Sequence, residues 1–445
     1  MKAYHGILPV FDDPNLVSDG GLVALGALAR KAGFHELVAR SSTLSVPAVA
    51  AKAWTVVAGM ASGADNIDGL DRLRSGGTQK VLAGIKAPST IGTFLRSVTN
   101  GGHVEQFAKV NRLLLGNLTD SVPGLVSDDQ VVFVDIDDTI KEVHGHQKGG
   151  AGFGYTKVRG LNAMMSTIST PRSAPVIAEF SLRKGSTSSG KGAARQIARA
   201  LATTSKLLGA NQRPLVRADS AFCTAANVHA ATRAGAWYSL TVKAWNTVTK
   251  AIAEIPEEAW VPINYPNAVW DDESKQWVSE AEVAEIPFTA FSSKPAGQQV
   301  KTRLVVRRVA RKPDNERQSQ LFSDHRHHAF ITNSPFNAVQ ADQMHRGHAV
   351  IEQVFSELKA GPLANLPSGK FHANALWLAL AVIAFNLVRA AAHAAGMPKA
   401  RFATAKNQII KVPARIASTA RRIVMHLPTH WPWARAWERL WEAVT

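Results

Sequence analysis

Residues His345-Arg-Gly-His-Ala-Val-Ile-Glu-Gln-Val-Phe-Ser-Glu-Leu-Lys359 set one carboxylate, Glu352, among basic and imidazole side chains. At about 100° per residue, His345, His348, Glu352 and Lys359 fall within an arc of roughly 60° on one predicted helix. Val350, Ile351, Val354, Phe355 and Leu358 form an apolar stripe centred roughly 120° away, so the helix is expected to bury one side and present Glu352 with Lys359 on another. A lone Glu on an amphipathic helix is ordinarily just solvated, and two further acids change that reading. Gln130-Val-Val-Phe-Val-Asp-Ile-Asp-Asp-Thr139 is a short apolar run ending in three acids, expected as a buried strand that runs into a polar edge. Its period of two places Val131, Phe133, Asp135 and Asp137 on one face. Pro214-Leu-Val-Arg-Ala-Asp219 repeats the theme, a brief apolar strand delivering an acid at its end. Buried carboxylates on adjacent strand ends repel one another and tend to protonate unless a cation holds them. Mg²⁺, a hard and oxygen-seeking ion, suits such a cluster, with Mn²⁺ able to substitute. The pattern points to a metal-dependent phosphodiester site.

The elements that must position these acids can be followed along the chain. Residues 1–125 read as mostly helical; ahead of a nuclease core such a domain either recognises a DNA end or only packs, and no residue there marks a recognition helix. Residues 126–242 give the Asp137 strand, a Gly-rich bend Gly149–Gly154, strands over Val158–Thr170 and Ala174–Arg183, and a helix within Gly190–Leu208 stopped at Gly209. The Asp219 strand, a helix over Ala225–Ala234 and a strand over Trp237–Val242 follow. Residues 243–340 are too long for a loop and read as a β-rich insertion, so the 133 positions between Asp219 and Glu352 are no objection to a joint site. Arg303, Arg307, Arg308 and Arg311 make the strands of that insertion basic enough to lie along a DNA backbone or simply to face solvent. Residues 341–395 complete the catalytic core. Residues 396–445 form a basic, Trp-rich tail expected to be helical, with Trp433, Trp437 and Trp441 at helical spacing as a packing anchor. Asp324, His325, His327 and His328 alternate poorly for one face and are not read as a metal cluster.

These residues resemble a family. Asp137-Asp-Thr139 resembles the Asp-x-Thr that carries the first acid of bacterial insertion-sequence DDE transposases, and Val216-Arg-Ala-Asp219-Ser-Ala-Phe222 resembles their second acidic strand. Many such enzymes carry Tyr-(2)-Arg-(3)-Glu-(6)-Lys on the helix of the third acid; this chain has His345-(2)-His348-(3)-Glu352-(6)-Lys359. Spacing, Glu and Lys agree, and both Tyr and Arg are replaced by His. Phe371-His-Ala-Asn374, Ala384-Phe-Asn386-Leu-Val-Arg389, Val143-His-Gly145-His-Gln147 and the run from Asp19 to Leu28 are similar to the insertion sequence 1380 family. The resemblance implies an α/β architecture with a ribonuclease H-like catalytic core, a β-rich insertion, a helical N-terminal domain and a helical C-terminal region. It implies strand cleavage and transfer at the ends of a mobile element, with Asp137, Asp219 and Glu352 as catalytic and metal-holding acids. Lys359, His348, His345 and Arg346 would contact DNA. Asp135 remains the rival for the first acid. Two other readings stay open: a transposase-derived DNA-binding protein without catalysis, and a metal-dependent DNA nuclease without strand transfer. The expected partners are double-stranded DNA, as terminal inverted repeats and target, with a homodimer as one form the synaptic complex could take. The two His replacements carry charge only near or below an unperturbed pKa of about 6.5.

Composition agrees with a polyanionic partner. The chain of 445 residues has 51 Lys and Arg against 34 Asp and Glu, a net charge of +17, and its basic residues are spread throughout instead of lying on one amphipathic helix. Its length calls for two or three domains. One cysteine, Cys223, excludes an internal disulfide and any Cys-based zinc set, which fits a reducing cytoplasm and an association with the nucleoid. The N-terminus lacks an apolar signal-like core. The most hydrophobic run, Leu376–Phe385, is ten residues before Asn386 and Arg389 interrupt it, so no membrane is expected.

Overall fold

The computed structural model describes residues 7–126, 131–145, 147–209, 212–271, 276–310, 325–419 and 422–445. After a two-residue strand, β1 (Leu16–Val17), come six helices: α1 (Leu22–Lys31), α2 (Phe34–Ser41), α3 (Val49–Ser62), α4 (Thr78–Val81), α5 (Pro88–Arg96) and α6 (Gly101–Ser121). Pro88 opens α5 at a position where no intrahelical N–H is needed, and the Asn100 side chain caps α6 by accepting from the His103 N–H.

The sheet begins with β2 (Phe133–Glu142), β3 (Gly152–Phe153), β4 (Arg159–Ser169) and β5 (Val176–Lys184); α7 (Ala193–Thr204), β6 (Leu215–Ala218), α8 (Ala225–Arg233) and β7 (Trp237–Thr241) follow. The order across this part is β5-β4-β2-β6-β7, with β4 antiparallel to β2 and with β6 and β7 parallel to it. Helix α7 covers β5, β4 and β2, so its apolar side, Ile197 and Leu201, is buried on the sheet while its other side is wet. Strand β2 does not stop at its acids. It continues through Asp137 and Asp138 to Glu142, because ten consecutive residues pair with β4.

After α9 (Asn246–Ala253), strands β8 (Val261–Asp271), β9 (Gln276–Ala290), β10 (Val300–Ala310) and β11 (His325–Thr332) extend the same sheet from β7 in the order β11-β10-β9-β8. The basic strand β10 is neutralised within the protein. Arg303 pairs with Glu285, and Arg308 bridges Glu257 and Glu282 with its guanidinium over Trp260. Arg311 and Asp324 lie outside the described residues.

Helix α10 (Ala338–Arg346) packs on this extension over a small core of Val283, Val305 and Phe330, and α11 (Val350–Lys359) follows. The stretch predicted as one helix is thus two, joined by a 3₁₀ turn at Gly347–Ala349. Gly347 has a reason to be there: a Cβ at this position would meet the Arg217 guanidinium at 2.6 Å.

Helix α12 (Phe371–Ala394) is 24 residues long, with mean hydropathy 1.9 over an 18-residue window that is wholly buried. Asn386 and Arg389 do not end it, because both polar side chains find partners. Asn386 Oδ1 accepts from the Ile177 N–H, its Nδ2 donates to the Ile177 carbonyl and to Asn111, and Arg389 pairs with Glu357. The helix packs against α6, α3, α5, α1 and β5, and one continuous apolar core runs from the N-terminal helices into the sheet. By length and composition it passes for a membrane span, but every residue of its apolar window lies inside the protein.

The tail differs from the expected helical region. After α13 (Phe402–Ala405) it forms a hairpin, β12 (Ala414–Thr419) and β13 (Arg422–His426), with β1 on the other side of β12, before α14 (Ala434–Val444). Alternation in Val412, Ala414 and Ile416, all buried, is the strand signal that the basic composition masked. Trp437 is buried and stacks on Trp441 with ring centroids 5.7 Å apart, whereas Trp433 and Trp441 are themselves exposed, so one Trp of the three is seated in the core.

Candidate active site

Strand β2 puts Asp135 and Asp137 on one face and Asp138 on the other, and the three have different neighbours. Asp135 is fully buried in register with Arg217 on β6, which grips both of its carboxylate oxygens at 2.7 and 2.8 Å. The same guanidinium lies over the Phe133 ring and donates to the Met344 carbonyl at the end of α10. Burial alone would push Asp135 up, but Arg217 and the hydrogen bond from His348 outweigh it and hold the carboxyl below its ordinary value. Both oxygens are engaged by cationic or imidazole partners, so Asp135 locks strands to helix.

Asp138 is likewise taken. Arg183 and Asn162 reach one of its oxygens and Ser189 the other, and Arg183 also binds the carbonyls of Ser188, Ser189 and Lys191. This network ties the Gly- and Ser-rich loop after β5 to β2.

Among the described residues, Asp137 is left with one hydrogen bond, from the Asp138 backbone N–H. It lines two concavities at once. One, of about 550 Å³, is shared with Thr139, Glu352 and Lys359; the other, of about 830 Å³, with Asp219, Lys243 and the Ser186–Gly190 loop. Burial first, and then the charge of Asp219, push the Asp137 carboxyl up to about 7. Asp219 follows β6 and caps the short 3₁₀ turn Ser220–Phe222 through the Ala221 N–H. It stands at the mouth of its concavity, yet the protein around it suffices for burial to be the largest cause of its own upward shift. Two acids raised by burial, Asp137 further by the charge of Asp219 and Asp219 further by that of Asp138, form an oxygen-rich place for positive charge.

Glu352 is exposed on the first turn of α11. Lys359, two turns on, donates to Thr139 Oγ1 at 2.6 Å, and burial and Lys141 depress its pKa. Among the described residues, no three His, Cys, Asp or Glu side chains stand together as a ready-made metal cluster. The donor chemistry still suits a hard cation: Asp137, Asp219 and Glu352 are oxygen donors, and the first two are disfavoured as bare anions.

The two histidines do not share the outward face expected of them, because the 3₁₀ turn rotates one relative to the other. His345 donates or accepts at both ring nitrogens, to Ser239 at 2.8 Å and Thr241 at 2.9 Å, and stacks flat on Phe330 at 4.1 Å. Burial, with His348 and Arg217 nearby, keeps it neutral, far below the usual imidazole range. A phosphate contact expected of His345 is therefore not what its surroundings allow. His348 Nδ1 lies 3.0 Å from Asp135, facing the acids. Arg346 pairs with Asp342 on its own helix. The structural partners missed by sequence reasoning, Arg183 and Arg217, carry no local signal; only the strand pairing brings them to the acids.

Comparison with known proteins adds the family. The profile described as "Transposase DDE domain group 1" matches residues 2–445. No curated protein matches the chain. A solved structure similar to it is the cryo-EM structure of the piggyBac transposase synaptic complex with hairpin DNA, at 10% identity and a TM-score of 0.41, covering 88% of this chain and 79% of that one. On the match that spans nearly its whole length, the chain belongs to the family of DDE transposase domains, group 1.

Proposed function

We propose that this protein cuts and joins DNA strands at the ends of an insertion sequence, with Asp137, Asp219 and Glu352 as its three acids. The observation that carries the reading is the position of Asp137 between two concavities, with Asp219 across one and Glu352 across the other. We also infer that β5-β4-β2-β6-β7 is a ribonuclease H-like core, from its order and strand directions, and that the chain falls within the insertion sequence 1380 group.

Asp137, Asp219 and Glu352 would hold Mg²⁺, and the metal when bound would activate an attacking hydroxyl and stabilise the leaving oxygen. The protein's own side chains do the rest. Asp135 is withheld from the site by Arg217, and Asp138 by Arg183, which leaves Asp137 free among the three aspartates of the strand. Lys359, anchored on Thr139 beside Asp137, supplies a fixed positive charge to a phosphate entering the smaller concavity. The partners that follow from this reading are terminal-repeat and target duplexes.

Nicking and gel-shift assays on one labelled DNA end test it. Asp137→Asn, Asp219→Asn and Glu352→Gln are each expected to lower cleavage by at least about a thousandfold while leaving end binding within about threefold. A Glu352→Gln protein that still nicks in Mg²⁺ removes the third acid from the proposal. Wild-type cleavage without joining of a precleaved end would leave a nuclease.

A further inference from the structure

A second charged feature lies outside the acid cleft. Helices α6 and α7 run side by side in the same direction: Gly101–Glu105 lies along Lys191–Arg199, and Lys109–Asp120 along Arg199–Leu207. Between them are two concavities of about 550 and 460 Å³ that share Arg199, the first floored by Glu179 and Ser181 of β5. Seven cationic side chains line this trench against three carboxylates, and the surplus matters because of which cations are already taken. Arg112 and Arg199 are held by Glu105 and Glu179, and Arg183 by Asp138. Lys109, Lys191, Arg195 and Lys206 are exposed, and among the described residues none of them has an ion-pair partner.

The free cations follow one helix. Lys191 stands just before α7, Arg195 on its first turn and Lys206 just past its end. The twelve residues of α7 between Lys191 and Lys206 span about 18 Å at 1.5 Å per residue, the reach of about five phosphates of one strand. The trench also begins where the acid cleft stops. Arg183 holds Asp138 with one end of its guanidinium and the Ser188, Ser189 and Lys191 carbonyls with the other, so the loop that walls the larger cleft leads directly to Lys191.

We propose that this trench seats double-helical DNA as it leaves the acid cleft, through phosphate contacts from Lys109, Lys191, Arg195 and Lys206. The proposal rests on the reading of the cleft as a DNA-cutting centre and adds the path of the duplex. Strand β10, whose Arg303, Arg307 and Arg308 pair with Glu285, Asp342, Glu257 and Glu282, leaves only Lys301 without an ion pair among the described residues. Lysines on an exposed helix face without buried polar partners suit the sequence-independent backbone and not base reading.

The test compares two DNA ends, one with duplex reaching about ten base pairs past the cut on either side and one trimmed to about four, lengths set by the phosphate spacing. The protein carries Lys191→Glu, Arg195→Glu and Lys206→Glu together, or the milder set Lys191→Gln, Arg195→Gln and Lys206→Gln. On the long end the Glu set is expected to lose at least about tenfold in affinity, with the salt slope falling by about three, and the Gln set to fall between it and wild type. The loss on the trimmed end should be several times smaller. Lys191→Arg, Arg195→Lys and Lys206→Arg together should bind as wild type does. If wild type binds and nicks both ends while the Glu set loses equally on both, or on neither, the trench is wrong and the cleft reading survives. A wild-type protein that binds neither end overturns both.

Discussion

Asp137 is the residue whose environment works hardest against its own charge. Its carboxyl is raised to about 7 by burial and by Asp219, so the folded chain holds a proton that the unfolded chain has released. The stabilising contribution is complete below the unfolded value near 3.8 and is lost as pH rises through about 7. Metal-free wild type should therefore fall in Tm between pH 5 and pH 8 by at least about 2 °C more than Asp137→Asn, with Mg²⁺ narrowing the gap. Identical pH profiles for the two proteins, read by calorimetry, would dismiss the burial argument. His348 calls for the opposite of what its spacing alone suggests. An Arg there meets Arg217 across the one Asp135 carboxylate instead of a DNA phosphate. His348→Arg is expected to lower cleavage several-fold at pH 6 and pH 8 alike; a gain confined to pH 8 would restore the phosphate role. Sequence order displayed Asp137, Asp219 and Glu352 because each ends or follows an apolar run. It could not display which neighbours were occupied, since Arg183 and Arg217 reach their carboxylates only through strand pairing.

At the scale of elements, the segment from Ala338 to Lys359 shows why periodicity misjudged the histidines. Apolar spacing is correct for α11, where Ile351, Val354, Phe355 and Leu358 are buried, and it fails across the 3₁₀ turn, whose tighter winding swings His345 inward onto Phe330. Gly347 was the available hint, a small residue where Arg217 passes. Strands β4, β5 and β7 and helices α7 and α8 lie within a few residues of their expected bounds because their patterns are long and uninterrupted. The hairpin β12–β13 was hidden under a basic composition, and the cations in and around α7 carry no apolar periodicity that would mark them. The pair at the junction of β2, β6 and α10 sets a stability test. Arg217→Met strands the fully buried Asp135 without its cation and should cost about 3–5 kcal/mol in urea unfolding, whereas Asp135→Asn with Arg217→Met should recover part of it. A single-mutant loss under about 1 kcal/mol would mean that the pair is not structural.

For the whole molecule, α12 decides how many parts the chain has. The boundary drawn near residue 125 separates helices from strands but not one core from another, since α12 lies against α3, α5, α6 and β5 together. Asn386 fastens this junction, holding both backbone groups of Ile177 and the side chain of Asn111. Asn386→Leu leaves those groups buried without partners and should cost about 2–5 kcal/mol, the helices and the sheet still melting in one transition by calorimetry. Two separated transitions would show independent cores. The position of α12 late in the chain also orders events on the ribosome. Until Phe371–Ala394 has emerged, α3, α6 and β5 lack the helix that covers them jointly, and Arg389 cannot brace Glu357 on the helix that carries Glu352. A nascent chain arrested before Phe371 should thus be sticky, readily digested and unable to cut. On the proposed function, the ability to cut DNA waits for α12, which makes the order of synthesis itself a safety catch.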